Sequence, residues 1–234
     1  MKSTFYVFFI LIILAITAGG CKSVKAVEKD IDQTPIAVTE QVTKAVPGFR
    51  IRLDTVLPDT NRCRRIKQVI IPAILYWQFT TIDECQLKKD WTYAPFEAGF
   101  YRGADSLNLR AKIPGDSLVL HIDSLPDTFY YVNHTMVIIL IVGYAMNSVE
   151  KTVPKAPAVG YRFKVYRQGE VSMFGNGSLP AQLEEERNLW KRPKKFLQAY
   201  VQKMYRENYE TGKRLAEYLA QNLFREEEDE EPAD

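Results

Sequence analysis

Two histidines, His121 and His134, and three cysteines, Cys21, Cys63 and Cys85, are the scarce reactive side chains of this 234-residue chain. A nucleophilic or metal centre would have to draw on them, and their spacing opposes it. No His-Glu-x-x-His, Cys-x-x-Cys, Walker or dinucleotide glycine fingerprint occurs. No Gly-x-Ser-x-Gly elbow occurs either. Neither a metal nor a cofactor is therefore expected. His121 lies inside the strand-like run Ser117–Ile122 and reads as a core or edge residue; His134, in Val132-Asn133-His134-Thr135, reads as part of a turn. Glycoside cleavage needs two carboxylates about 5–10 Å apart, and Asp83 with Glu84, or Asp123 with Asp127, supply pairs by composition. Neighbouring residues of a strand point to opposite faces, so Asp83 and Glu84 do not converge. Gly175-Asn176-Gly177-Ser178 reads as turn chemistry rather than a phosphate cradle.

Aromatic residues are more suggestive. Tyr76, Trp77, Phe79, Trp91, Tyr93, Phe96, Phe100 and Tyr101 fall within 26 residues. They form either a core between sheet and helices or a groove for a glycan, acyl chain or partner segment, with Tyr76, Trp77, Trp91 and Phe96 as candidate lining residues.

The elements that must position these groups follow from periodicity. Phe49–Val56 alternates as a half-buried strand; Asn61–Arg65 is polar and breaks the pattern; Ile66–Ile71 and Ala73–Ile82 are strands around Pro72. Residues 93–112 are ambiguous, because Gly99 and Gly103 weaken a helix by about 1 kcal/mol each. Ser117–Ile122 and Thr128–Val132 are strands, and Met136–Val142, apolar on both faces, reads as a central strand covered on both sides. Val159–Tyr166 and Val171–Gly175 make a hairpin around Arg167-Gln168-Gly169-Glu170, with Arg162 and Lys164 facing outward. A short helix is expected after Ser178-Leu179-Pro180, ended by Pro193. A long amphipathic helix of about 30 residues follows, its stripe being Leu197, Val201, Met204, Asn208, Thr211, Leu215, Tyr218, Leu219 and Leu223. Gly212 either kinks it or admits a close neighbour. The fold class is α+β: a mostly antiparallel sheet with a long C-terminal amphipathic helix packed on one face.

The first twenty residues read as an address. Lys2 precedes an apolar run, Phe5–Ile16, too short to span a bilayer as a helix. Thr17-Ala18-Gly19-Gly20 and then Cys21 complete the pattern of a secretory signal peptide. Ala18-Gly19-Gly20-Cys21 resembles the lipobox of bacterial lipoproteins, with Ala18 where that family usually has Leu. The resemblance implies cleavage before Cys21, a diacylglycerol on its thiol and an acylated N-terminus. Residues 22–45 are polar and of mixed charge, a tether without clear periodicity. An acidic run after the cysteine, which resembles a surface-export signal in some bacterial groups, is absent; the expected place is the periplasmic face of the outer membrane. The organisation expected is a signal peptide over 1–20, a tether over 21–46, one domain over 47–225 and an acidic, disordered tail over 226–234.

In an oxidising compartment Cys63 and Cys85 either pair or remain reduced or buried thiols. A bond would close a loop of about 22 residues, worth roughly 3 kcal/mol in the chain-entropy model. The tail carries seven acidic groups. Without the leader and the tail, the body between Cys21 and Arg225 has a net charge of +8. Arg187, Lys191, Arg192, Lys194, Lys195, Lys203, Arg206, Lys213 and Arg214 supply much of it: a solvated helix face, or a surface for anionic lipid or an acidic partner. Nucleic acid is not an expected partner of an exported chain. A lipidated cysteine, tether, sheet and terminal helix together look like the auxiliary lipoproteins of envelope transport systems, a likeness of fold that transfers no residue roles. The expectation is a non-enzymatic, membrane-anchored adaptor of an envelope assembly or transport complex. A lipid- or glycan-binding lipoprotein with an aromatic cleft and an envelope hydrolase are the alternatives.

Overall fold

Alternating strands that each bury one face need a cover, and here one long helix serves two sheets. The computed structural model describes residues 23–36, 48–73, 75–113, 115–140, 143–181, 183, 185–187 and 192–228. The first sheet has the order β1-β4-β7-β8, from β1 (Phe49–Leu53), β4 (Ser117–Ser124), β7 (Ala158–Arg167) and β8 (Glu170–Pro180). β1 runs parallel to β4 and the other pairs are antiparallel. The second sheet is antiparallel throughout, in the order β2-β3-β5-β6-β9: β2 (Arg62–Pro72), β3 (Tyr76–Gln86), β5 (Thr128–Leu140), β6 (Gly143–Pro154) and β9 (Glu185–Glu186). The helices are α1 (Val24–Asp32), α2 (Lys89–Ser106), α3 (Leu109–Lys112) and α4 (Pro193–Glu228). The class is α+β, as expected from the sequence.

Of the stripe on α4, Leu197, Val201, Met204, Asn208, Thr211, Leu215 and Leu219 are core, whereas Tyr218 is exposed. Leu215 and Leu219, in its second half, pack with α2 (Phe96, Phe100) and the inner face of the first sheet (Leu118, Leu120, Ile122, Val159, Val165). Leu197, Val201 and Met204, in its first half, pack with Val27 and Ile31 of α1 and with Cys85, Phe129 and Tyr131 of the second sheet. Residues 93–112 are helical, and the glycines that argued against a helix permit its packing. A Cβ on Gly99 would strike the Tyr209 carbonyl, and one on Gly212 the Phe96 carbonyl, so α2 and α4 cross with backbones in contact. The β7–β8 hairpin turns on Gln168 and Gly169, at φ 51° and 85°, the doubly left-handed turn that suits twisted strands. Arg162 and Lys164 face outward from it.

Several expectations are corrected. The tether over 21–46 contains α1: Ser23 caps it by accepting from the Ala26 amide at 3.2 Å, and Val27 and Ile31 are fully buried. Two buried apolar residues in nine were too sparse a pattern to read. Asn61–Arg65 does not break the chain, because β2 starts at Arg62, where its arginines find carboxylates on β3. His134 is not in a turn but within β5. Gly175–Ser178 is not a turn but part of β8; bare Gly175 and Gly177 lie beneath the rings of Phe163 and Tyr161. The helix expected after Ser178 does not form among the described residues: β8 runs to Pro180 and Glu185–Glu186 adds the short strand β9 beside β6. Pro193 is the first residue of α4, where its missing N–H costs nothing. Of the tail, 226–228 are the end of α4, and 229–234 lie outside the described residues, as do Cys21 and the leader.

Candidate functional site

Across the two hairpins of the second sheet, charge stops at a line. Residues 68–82 and 128–149 contain no Asp, Glu, Lys or Arg, in a chain whose charged fraction is 26%. Antiparallel pairing of β3 with β5 (Tyr76 opposite Ile138, Gln86 opposite Thr128) lays these stretches side by side with both hairpin tips at one end. We call this the distal end and the opposite one the base.

The base is wired and covered. Cys63 and Cys85 are directly opposite on β2 and β3, with Cα atoms 4.2 Å apart, and form a disulfide. Arg65 grips Asp83 through two hydrogen bonds of 2.7 and 3.1 Å. Glu84 accepts from Lys155 at 2.7 Å and from Arg64. The Lys155 bond, reinforced by Arg64, holds the Glu84 carboxyl below its ordinary range against the cost of burial. Tyr131 donates to Glu150 at 2.7 Å, and burial raises the phenol's pKa. Both sheet edges are occupied here: Glu28 of α1 accepts the outward Cys63 amide at 3.0 Å, and β9 pairs with Lys151 and Thr152 of β6. An open depression of about 450 Å³, lined by Arg62, Arg64, Glu84, Gln86, Thr128 and Lys155, lies beside the disulfide.

The distal end has none of this cover among the described residues. No described strand pairs with the outer edge of β2, or with β6 between Gly143 and Glu150. Large apolar side chains stand in solvent: Ile70 is 49% exposed, Ile71 44%, Leu75 57% and Met146 62%. Residues 132–139 of β5 are only half-buried, so the strand is central in the pairing order but not covered on both sides as expected. The face continuous with the core carries Ile70, Phe79, Trp77, Val137 and Met146. Its hydroxyls, Thr135 and Ser148, bond to each other at 3.1 Å. The opposite face carries Gln78, bonded by Tyr76 at 2.6 Å, and His134, bonded to Thr80 at 2.8 Å.

The other candidates do not assemble. Tyr76 and Trp77 begin β3 whereas Trp91 and Phe96 lie on α2 beyond its far end, about 33 Å of strand away; the four share no cleft. Phe96 is fully buried, and Trp91 packs on the second core beneath the Lys88 ammonium, 4.7 Å from the ring. His121 is on the outer face of the first sheet, 3.1 Å from Asp54, which Arg162 links to Asp123. The His121 hydrogen bond is the main cause of a lowered Asp54 pKa. The nearby Thr55 hydroxyl donates to the Asp123 carbonyl, so the cluster presents ion pairs and no poised nucleophile. Asp127 sits elsewhere, bonded by Gln86 and Thr128. The basic face of α4 is partly engaged: Lys194 donates to Gln33, Lys203 faces Glu185 and Arg214 pairs with Glu207. Among the described residues no cluster of three or more metal-ligating side chains occurs, and no helix is long and apolar enough to cross a membrane.

No protein-family model matches the chain, and neither a curated protein nor a solved structure matches it significantly.

Proposed function

We propose that the protein is a lipid-anchored, non-enzymatic assembly subunit of a bacterial envelope complex, held at the outer membrane through Cys21. The observation that supports it is the distal end of the second sheet. Two charge-free hairpins whose outer edges no described strand pairs call for something to pair with them. The base of the same sheet is the contrast, since its edges are occupied and its charges are matched. Among the described residues, Tyr76 and Trp77 share no cleft with Trp91 and Phe96, and the Thr55 hydroxyl near His121 is engaged with the Asp123 carbonyl.

The anchor is tested by metabolic labelling with a fatty acid: the wild type takes the label and Cys21→Ala does not. The assembly role is tested by native purification from the membrane, which should recover a stoichiometric complex that Ile70→Asp abolishes while the anchor stays labelled. A labelled protein that purifies as single copies with a bound lipid sinks the reading.

A further inference from the structure

We propose that copies of this chain join edge to edge at the distal end, β6 of one against β2 of the next, and close a β-barrel that crosses the membrane. This rests on the membrane-anchored reading above and adds the partner, a second copy, and the medium, the acyl chains of a bilayer.

Four observations carry it. Charge ends at one level on three of the four strands, just beyond Arg65 and Lys67 on β2, Asp83 on β3, and Glu150 and Lys151 on β6; β5 carries none. Above that level β5 runs from Asn133 to Leu140, about 27 Å of strand. Tilted as barrel strands are, it rises about 20 Å, close to the apolar band of outer-membrane barrels. Second, among the described residues the edges are covered only below the line. Open edges are excluded from hydrocarbon, because unpaired amides and carbonyls have no water there. A four-stranded insert therefore needs strands on both sides. Third, β2 and β6 run in opposite directions, as outer strands of an even antiparallel set do. The next copy's β2 thus meets β6 antiparallel, and the alternation continues around a ring. Fourth, α1 is antiparallel to β2: Glu28 bonds Cys63, and Asp32 accepts from Asn61 at 2.8 Å. The first residue of the cap, Ser23, is then about 7 Å further towards the distal end than Glu28, near the level of Arg65. The chain enters the body two residues after Cys21, where the charges stop.

The pleat assigns the faces. Ile70, Phe79, Trp77, Val137 and Met146 would meet lipid, with Thr135 and Ser148 satisfying each other, while the interior takes Gln78, Thr80 and His134 together with Val69, Ile71 and Met136.

The test uses the full-length lipidated protein with its native disulfide. Ile70→Cys is combined in turn with single cysteines from Gly143 to Val149 and oxidised in the membrane. The expected result is a ladder of copies ending in one discrete band, together with stepwise conductance in planar bilayers. Ile70→Lys and Val137→Lys should lower conductance at least tenfold. Ile70→Lys, at a half-exposed site, should leave the melting temperature of the detergent-solubilised subunit unchanged. If the cysteines cross-link a different protein at the same edges while fatty-acid labelling persists, the barrel of copies is overturned and the adaptor reading stands. Unlabelled single copies released in soluble form overturn both.

Discussion

The base and the distal end belong to the same four strands yet obey different rules. At the base, ionised side chains are paired with partners on the neighbouring strand, a disulfide ties two strands, and each edge is occupied. A few residues along, charges vanish, no described strand pairs with the outer edges and apolar side chains face solvent. The base carries the bonds that stabilise the sheet, and the distal end is where the proposed assembly would act. On that reading stability and assembly fall at opposite ends of one sheet, so each can be perturbed without the other.

The largest effect should fall at the base. Phe129→Ala removes a fully buried ring packed on Tyr200 (centroids 4.9 Å apart) and should cost about 3–5 kcal/mol in denaturant unfolding. An equal cost for Ile70→Ala would erase the contrast. Replacing Cys63 and Cys85 together by Ala should cost about 3 kcal/mol, with the loss seen equally on reducing the wild type. Glu84→Gln should cost about 1 kcal/mol near neutral pH, because Arg64 and Lys155 are largely exposed and screened. Its pH signature is specific. A carboxyl whose folded pKa is depressed stabilises above its ordinary value of 4.5, and that contribution is lost as pH falls through the lower folded value. Acid melting curves of the wild type and Glu84→Gln should therefore converge below that range. Smallest of all, Ile70→Ala should shift the subunit's stability by less than about 0.5 kcal/mol. Hydrogen exchange should sharpen the same divide: amides at the base of β3 and β5 protected, those on the bare edge of β2 fast.

Parts of the fold were legible in the residues, though not this division. The β7–β8 hairpin followed from alternation and the Gln168-Gly169 turn, and α4 from a stripe whose buried members include polar Asn208 and Thr211. Other parts were not. α2 buries one face, but that face includes Thr92, Gly99 and Gly103 while Trp91 and Tyr101 lie off it, so no clean apolar stripe marks it, and its glycines are read as breakers until a second helix is seen pressing on them. α1 has too few apolar positions to stand out before α4 and β2 are in place. The distal end was misread more instructively. Met136–Val142 reads as a buried strand from its apolar run alone, and the sequence does not say what, if anything, covers it, whereas residues 136–139 are only half-buried. Only the pairing of β3 with β5 shows two such stretches converging where the described protein offers no cover.

One helix closes both cores, and this has a mechanical consequence. The 36 residues of α4 form a rod of about 54 Å. Its near half grips the second sheet through Tyr200 and Phe129, and its far half seats the first sheet through Leu215 and Leu219. If copies join as proposed, a load taken up at the distal end would be carried along this stiff beam towards the first sheet, which would feel strain applied to the second.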